Sequence, residues 1–181
     1  VPNGIPLRRL LTALLLCGAL LTATTACNDK AKTEVSGSPT ASTTAEKQKL
    51  AKTRFVANAG LAAGATYQWI IKPYRAGTFK KGADGRTFAL VKAGLAGAFA
   101  YNRLKAAADN AKGDPTLSKL VAPLTAGIDA LKDLPSKLRK GDSTDDVVST
   151  FQKTIDGVKE AGKQAGAEVK DQIPSAGQLG G

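Results

Sequence analysis

Val148, Phe151, Ile155, Val158, Gly162, Ala165 and Val169 recur in steps of three and four. That spacing lines apolar and small side chains along one side of an α-helix. It predicts a helix from Ser143 to Ile173 whose seam needs a packing partner. The same period runs upstream, through Phe55, Ala59, Ala62, Thr66 and Trp69, then Phe88, Val91, Leu95 and Phe99, then Leu117, Leu120, Val121, Leu124, Ile128, Leu131 and Leu134. No alternating run is long enough to argue for a strand.

Prolines and glycines divide these patterns. Pro73 should end or kink the first helix, because proline has no N–H and its ring crowds the preceding turn. The Lys- and Gly-rich "RAGTFKKGADGR" is a loop. A second helix is expected to open near Asp84–Thr87 and to close at Gly113. Asp114-Pro115 reads as an N-cap followed by proline at the first helical position. Pro123 and Pro135 should break or kink that third segment. Ser143, with Asp146 three residues on, resembles a capping box for the fourth. Short connections favour antiparallel neighbours. The expected fold is all-α: a small bundle of about four helices, some Pro-kinked, over residues 46–173, with a disordered tail at 174–181. An echo between "AGLAAGATYQW" and "AGLAGAFAYNR" places Gly60 and Gly64, and Gly94 and Ala98, four residues apart. It is ascribed to Ala/Gly-rich usage; the alternative is a tightly packed hairpin.

The residues before this domain have another character. Arg8 and Arg9 precede an uncharged, mostly apolar run at 10–23, and small residues then lead to Cys27. These are the three parts of a secretory signal, and the run is short of the about 20 apolar residues that a membrane span needs. Thr24-Thr25-Ala26-Cys27 resembles the lipobox of bacterial lipoprotein precursors, with Thr24 where Leu, Val or Ile is usual. Cys17, directly after Leu14-Leu15-Leu16, does not fit that motif. The resemblance covers residues 1–27. It implies a signal peptide at 1–26, joining of the Cys27 thiol to diacylglycerol, and cleavage that leaves Cys27 first. Two acyl chains anchor stably where one is marginal. Residues 28–45 are rich in Ser, Thr and Ala and hold one Val and no aromatic residue. Such a segment stays a flexible linker, with a reach of about 23 Å as a coil. Cys27 and this linker together make up residues 27–45.

Charge narrows the partners. The net charge is +11, and it is uneven. Glu46 to Lys105 holds 12 basic residues and 2 acids, whereas Ala106 to Gly181 holds 10 and 11. A basic half close to a membrane favours anionic lipid or an anionic wall polymer. Export and the lack of a nucleic-acid motif argue against nucleic acid.

The chain has no histidine. Histidine-based triads and imidazole metal sites are therefore excluded. Asp129 with Asp133 and Asp145 with Asp146 read as a solvated face and a helix start. Expected catalytic, cofactor-binding and metal residues are none, and the chain is not expected to be an enzyme. Most of the aromatic residues should pack the core. Trp69, Tyr74 and Tyr101 are the candidates for lipid or ligand contact, since amphipathic rings suit such boundaries.

These features point to an extracytoplasmic, lipid-anchored protein of the cell membrane. Its helical module would bind an envelope protein, a wall polymer or another ligand. The alternative is a membrane-active hairpin, 55–71 and 88–102, inserted into or laid on anionic lipid between basic flanks.

Overall fold

A computed structural model describes residues 43–180 of the 181-residue chain. The expected leader, Cys27 and nearly all of the expected linker lie outside the described residues. Among those described, every regular element is helical. They are α1 (Thr44–Thr66), a π-turn (Tyr67–Ile71), α2 (Lys72–Arg75), α3 (Arg86–Ala111), α4 (Pro115–Val121), a 3₁₀ turn (Ala122–Leu124), α5 (Thr125–Ala130), α6 (Leu134–Lys140), α7 (Thr144–Gln164) and a 3₁₀ turn (Ala176–Leu179). Grouped by the loops between them, they form the expected all-α bundle of four helical segments.

α1 begins two residues earlier than the expected boundary at Glu46. The Thr43 hydroxyl accepts from the Glu46 N–H at 3.2 Å, and the Glu46 carboxylate accepts from the Thr43 N–H at 2.8 Å. This capping box satisfies two otherwise orphan donors. Pro73 does not end the helix. The turn before it widens, and the Lys72 N–H bonds back to the Tyr67 carbonyl. A π-turn thus absorbs the missing proline donor, and the helix continues to Arg75.

α3 starts after Gly85, which at φ 68° takes the capping position in place of Asp84 or Thr87. α4 opens as read, with the Asp114 carboxylate accepting from the Leu117 N–H at 2.9 Å. Pro123 converts one turn to 3₁₀, and Pro135 stands in the first turn of α6. Ser143 precedes α7, but its side chain makes no capping bond.

The predicted fourth helix is shorter than its pattern. It stops at Gln164, and Gly166 (φ 66°) turns the chain. The Ala167 N–H bonds to the Gly162 carbonyl at 2.8 Å and the Gly166 N–H to the Lys163 carbonyl at 3.1 Å. This pair of bonds is a Schellman motif, which needs the left-handed conformation that glycine adopts cheaply. Ala165 and Val169 are buried, as their spacing suggested, but Val169 lies on a non-helical strap. Within the expected tail, Ala176–Leu179 forms a 3₁₀ turn, and Leu179 is buried.

The core is built from Phe55 and Ile70 of the first segment, Leu90 and Leu104 of α3, Leu117, Ile128, Leu131 and Leu138 of the broken third segment, and Val147, Phe151 and Val158 of α7. α1 and α3 make the most extensive contact in the bundle. Their glycines do not meet each other, however. Gly60 and Gly64 receive the strap: the Gln172 N–H bonds to the Gly60 carbonyl at 2.9 Å, and a Cβ on Gly60 would lie 2.6 Å from the Lys170 carbonyl oxygen. Gly94 receives α6, and Gly97 admits the Phe151 ring. The echo in the sequence therefore marks two close approaches with different partners.

Candidate functional site

The large stripe of α3 faces outward. At about 3.6 residues per turn, Phe88, Val91, Leu95 and Phe99 lie opposite the face formed by Leu90, Ala93, Gly97, Ala100 and Leu104. That second face is the buried one. Phe88 is 65% exposed and Val91 42%, while Leu95 and Phe99 are half-buried. Most of the aromatic residues pack against the core, as expected, but few of them fill it. Phe55, Phe79 and Phe151 do so; Phe88 and Tyr67 are exposed, and Trp69, Tyr74, Phe99 and Tyr101 are half-buried. The physical reason is backbone approach. The Ala/Gly face lets α1, α6 and the Phe151 ring come close, and larger side chains on that side would hold them off.

Trp69 reaches this outer region from the π-turn. It lines a cleft of about 400 Å³ with Lys72, Pro73, Phe88, Ala89 and Lys92. The Lys92 ammonium lies 4.4 Å from the Phe88 ring centroid and 5.0 Å from that of Trp69. Both rings attract the cation electrostatically. Asp84 is the single acid in the lining. Two buried polar atoms here have no partner, the hydroxyl oxygen of Thr66 at the end of α1 and the indole nitrogen of Trp69 in the π-turn. Each such atom costs about 1–3 kcal/mol, and π-turns recur at functional sites. Farther along α3, the Arg103 guanidinium sits 5.0 Å from the Phe99 ring and bonds to Asn58 of α1 at 3.3 Å. A row of rings covered by cations thus runs along the outside of the hairpin.

The three aromatic candidates do not share one site. Tyr74 lines a separate hollow of about 660 Å³ with Phe79, Lys80 and Asp145. The Asp145 carboxylate beside its hydroxyl raises the phenol pKa above the ordinary 10.0, with partial burial and charge acting the same way. Tyr101 packs against the core at the side of α3 away from the Phe88 row. Cys27 lies outside the described residues. Phe88 and Lys92 join Trp69 without having been singled out in the sequence. The available signal was the unbroken Ala/Gly row on the opposite face of the same helix.

Acidic groups are dispersed. Asp129 pairs with Lys105 at 3.1 Å on the surface and raises the lysine pKa, and Asp109 pairs with Lys112 at 2.7 Å, which lowers the aspartate pKa. Asp145 and Asp146 stand exposed in the first turn of α7. Asp114 is buried. It caps α4 and lies 3.7 Å from the Lys52 ammonium, which also donates to the Ala165 carbonyl at 2.8 Å. Among the described residues no group of three or more Cys, Asp or Glu side chains could hold a metal ion, and no helix is long and apolar enough to cross a membrane.

Comparison with known proteins yields no match to a family model, a curated protein or a solved structure.

Proposed function

We propose that the chain is a lipid-anchored, extracytoplasmic interaction module of the cell envelope. Cys27 carries the acyl anchor, the residues after it act as a tether, and the bundle presents the Trp69–Phe88–Lys92 cleft to its partner. The observation that carries this reading is the cleft: an aromatic wall, 65% exposed at Phe88, with a lysine held over two rings. Exposed aromatics and long cationic side chains supply binding area and orientation. The activity proposed is binding, because rings and cationic heads are what the lining offers a partner.

Cell fractionation and intact mass test the anchor. The wild-type chain is expected in the membrane fraction with its mass increased by lipid and its residues 1–26 gone. Cys27→Ser is expected to lack the lipid mass and to keep residues 1–26, with unchanged helical circular dichroism. A wild-type chain recovered from the membrane with no lipid mass on Cys27 would overturn the anchoring.

A further inference from the structure

We infer that the outer face of the α1–α3 hairpin, from Trp69 and Phe88 to Phe99 and Arg103, is a docking surface for an anionic lipid bilayer. The inference rests on the reading of the bundle as an interaction module and names the partner of that cleft. Phe88, Val91, Leu95 and Phe99 form an apolar row along one side of α3; Phe88 and Val91 are exposed, and Leu95 and Phe99 are half-buried at the edge of the core. Lys72, Lys92 and Arg103 flank that row. Between Arg54 and Lys105 the sequence holds nine basic residues and the single acid Asp84. This is the layout of an interfacial helix. Apolar rings enter the acyl boundary, and cationic heads on long stems reach back to the phosphates.

Charge complementarity selects the occupant. A second copy docked face to face would set Lys92 and Arg103 against the same cations, so a symmetric dimer is disfavoured. An anionic bilayer neutralises them, and each basic residue brought near such a surface strengthens partition roughly fivefold. The hairpin need not insert to do this. Its buried faces already pack against each other, and only the outer row is free to enter the interface.

Trp69 is the single tryptophan of the chain and lies in the docking face, so its emission reports on that face. The full-length chain carrying Cys27→Ser is mixed with vesicles of phosphatidylcholine alone, or with one third phosphatidylglycerol. With anionic vesicles the Trp69 emission is expected to shift to shorter wavelength and to be quenched by acyl-chain bromine. Phe88→Ser is expected to weaken that partition about tenfold, and Lys92→Glu more than fivefold. Lys119→Glu, on α4, is expected to leave it unchanged. Circular dichroism checks that each variant keeps its helix content. Vesicle binding with a silent Trp69 would place the contact elsewhere, in the apolar leader for example, and would overturn the inference. So would an equal response to both vesicle types, or Phe88→Ser and Lys92→Glu variants that dock like wild type. A Trp69 shift induced equally by a soluble acidic polymer would make the partner an acidic macromolecule, overturning the lipid assignment while sparing the interaction module.

Discussion

α7 and α3 are both long and are oriented by opposite rules: α7 is amphipathic, whereas α3 is apolar or small on both faces. α7 turns its large residues inward: Val148, Phe151, Ile155 and Val158 are buried, and Asp145, Asp146 and Asp156 are exposed. α3 turns its large stripe outward and buries an Ala/Gly row flanked by Leu90 and Leu104. The comparison shows that periodicity identifies a helix and its two faces, but not always which face is core. Where both faces are apolar, close backbone contact can win over side-chain size. Gly94 and Gly97 let α6 and Phe151 approach within van der Waals distance, and the larger row is left free for another task.

Substitutions on the two helices should separate these rules. The largest expected effect is at Phe151, fully buried against Gly97. Phe151→Ala should cost about 3–5 kcal/mol in denaturant unfolding. Phe88→Ala, the same chemical change on α3, should stay within about 0.5 kcal/mol of wild type. Equal losses at the two positions would break the comparison. Next is the small row itself. A side chain at Gly94 would collide with Arg139 and lie 3.0 Å from the Pro135 carbonyl oxygen. Gly94→Val should therefore destabilise by about 1–3 kcal/mol through overpacking, although it adds apolar volume. A Gly94→Val protein as stable as wild type would mean that α6 does not depend on close approach.

A smaller loss is expected at the joint that ties the two helices to α4. Asp114→Ala removes the cap from the Leu117 N–H and the partner of Lys52, and should cost about 1–2 kcal/mol. Unchanged stability would show that water caps α4 equally well. The smallest effect concerns the start of α7. Tyr74 has its pKa raised in the folded state by Asp145, so the fold favours the neutral phenol. That contribution is present below the ordinary value of 10.0 and fades as pH rises through the raised folded value. It is slight, because solvent reaches the half-buried ring and screens the pair. Asp145→Asn should bring the Tyr74 ionisation in an ultraviolet titration back toward 10.0, with no measurable change in stability below pH 8. A titration unaltered by Asp145→Asn would remove the carboxylate as the cause.

Much of the fold was legible in local chemistry. Asp114-Pro115 announced α4, the basic run before Gly141 closed α6, and the seam of α7 packed as its spacing required. Three features escaped the same method. Ala165 and Val169 continued the helical period past Gln164, so the stop at Gly166 was hidden; glycine at a helix end competes with a pattern that counts only apolar positions. The strap at 167–175 has no period at all, and its docking depends on the bare backbone at Gly60 and Gly64. The outward stripe of α3 depends on what faces the other side, which no window of one helix contains. Of the candidate site, Trp69 was legible as an amphipathic ring. Tyr74 and Tyr101 were legible in the same way but belong to other surfaces, while Phe88 and Lys92 enter only through tertiary packing. The stretch Thr24–Cys27, which resembles a lipobox, is a separate case, since it lies outside the described residues and the anchor proposed for Cys27 rests on motif chemistry.

The central claim, that α3 buries its small face and offers its large one, is open to a direct chemical measurement. Beyond Cys17 and Cys27 the chain has no thiol. With both changed to serine, Phe88→Cys and Leu90→Cys can be compared for their rates of reaction with a small thiol reagent under native conditions. The account predicts that Phe88→Cys reacts close to the rate of the unfolded chain, slowing when anionic vesicles are added. Leu90→Cys, at a position 2% exposed, should be protected until the bundle opens. Prompt reaction at 90 with protection at 88 would mean that α3 sits the other way round, and would contradict both the core and the docking face drawn from it.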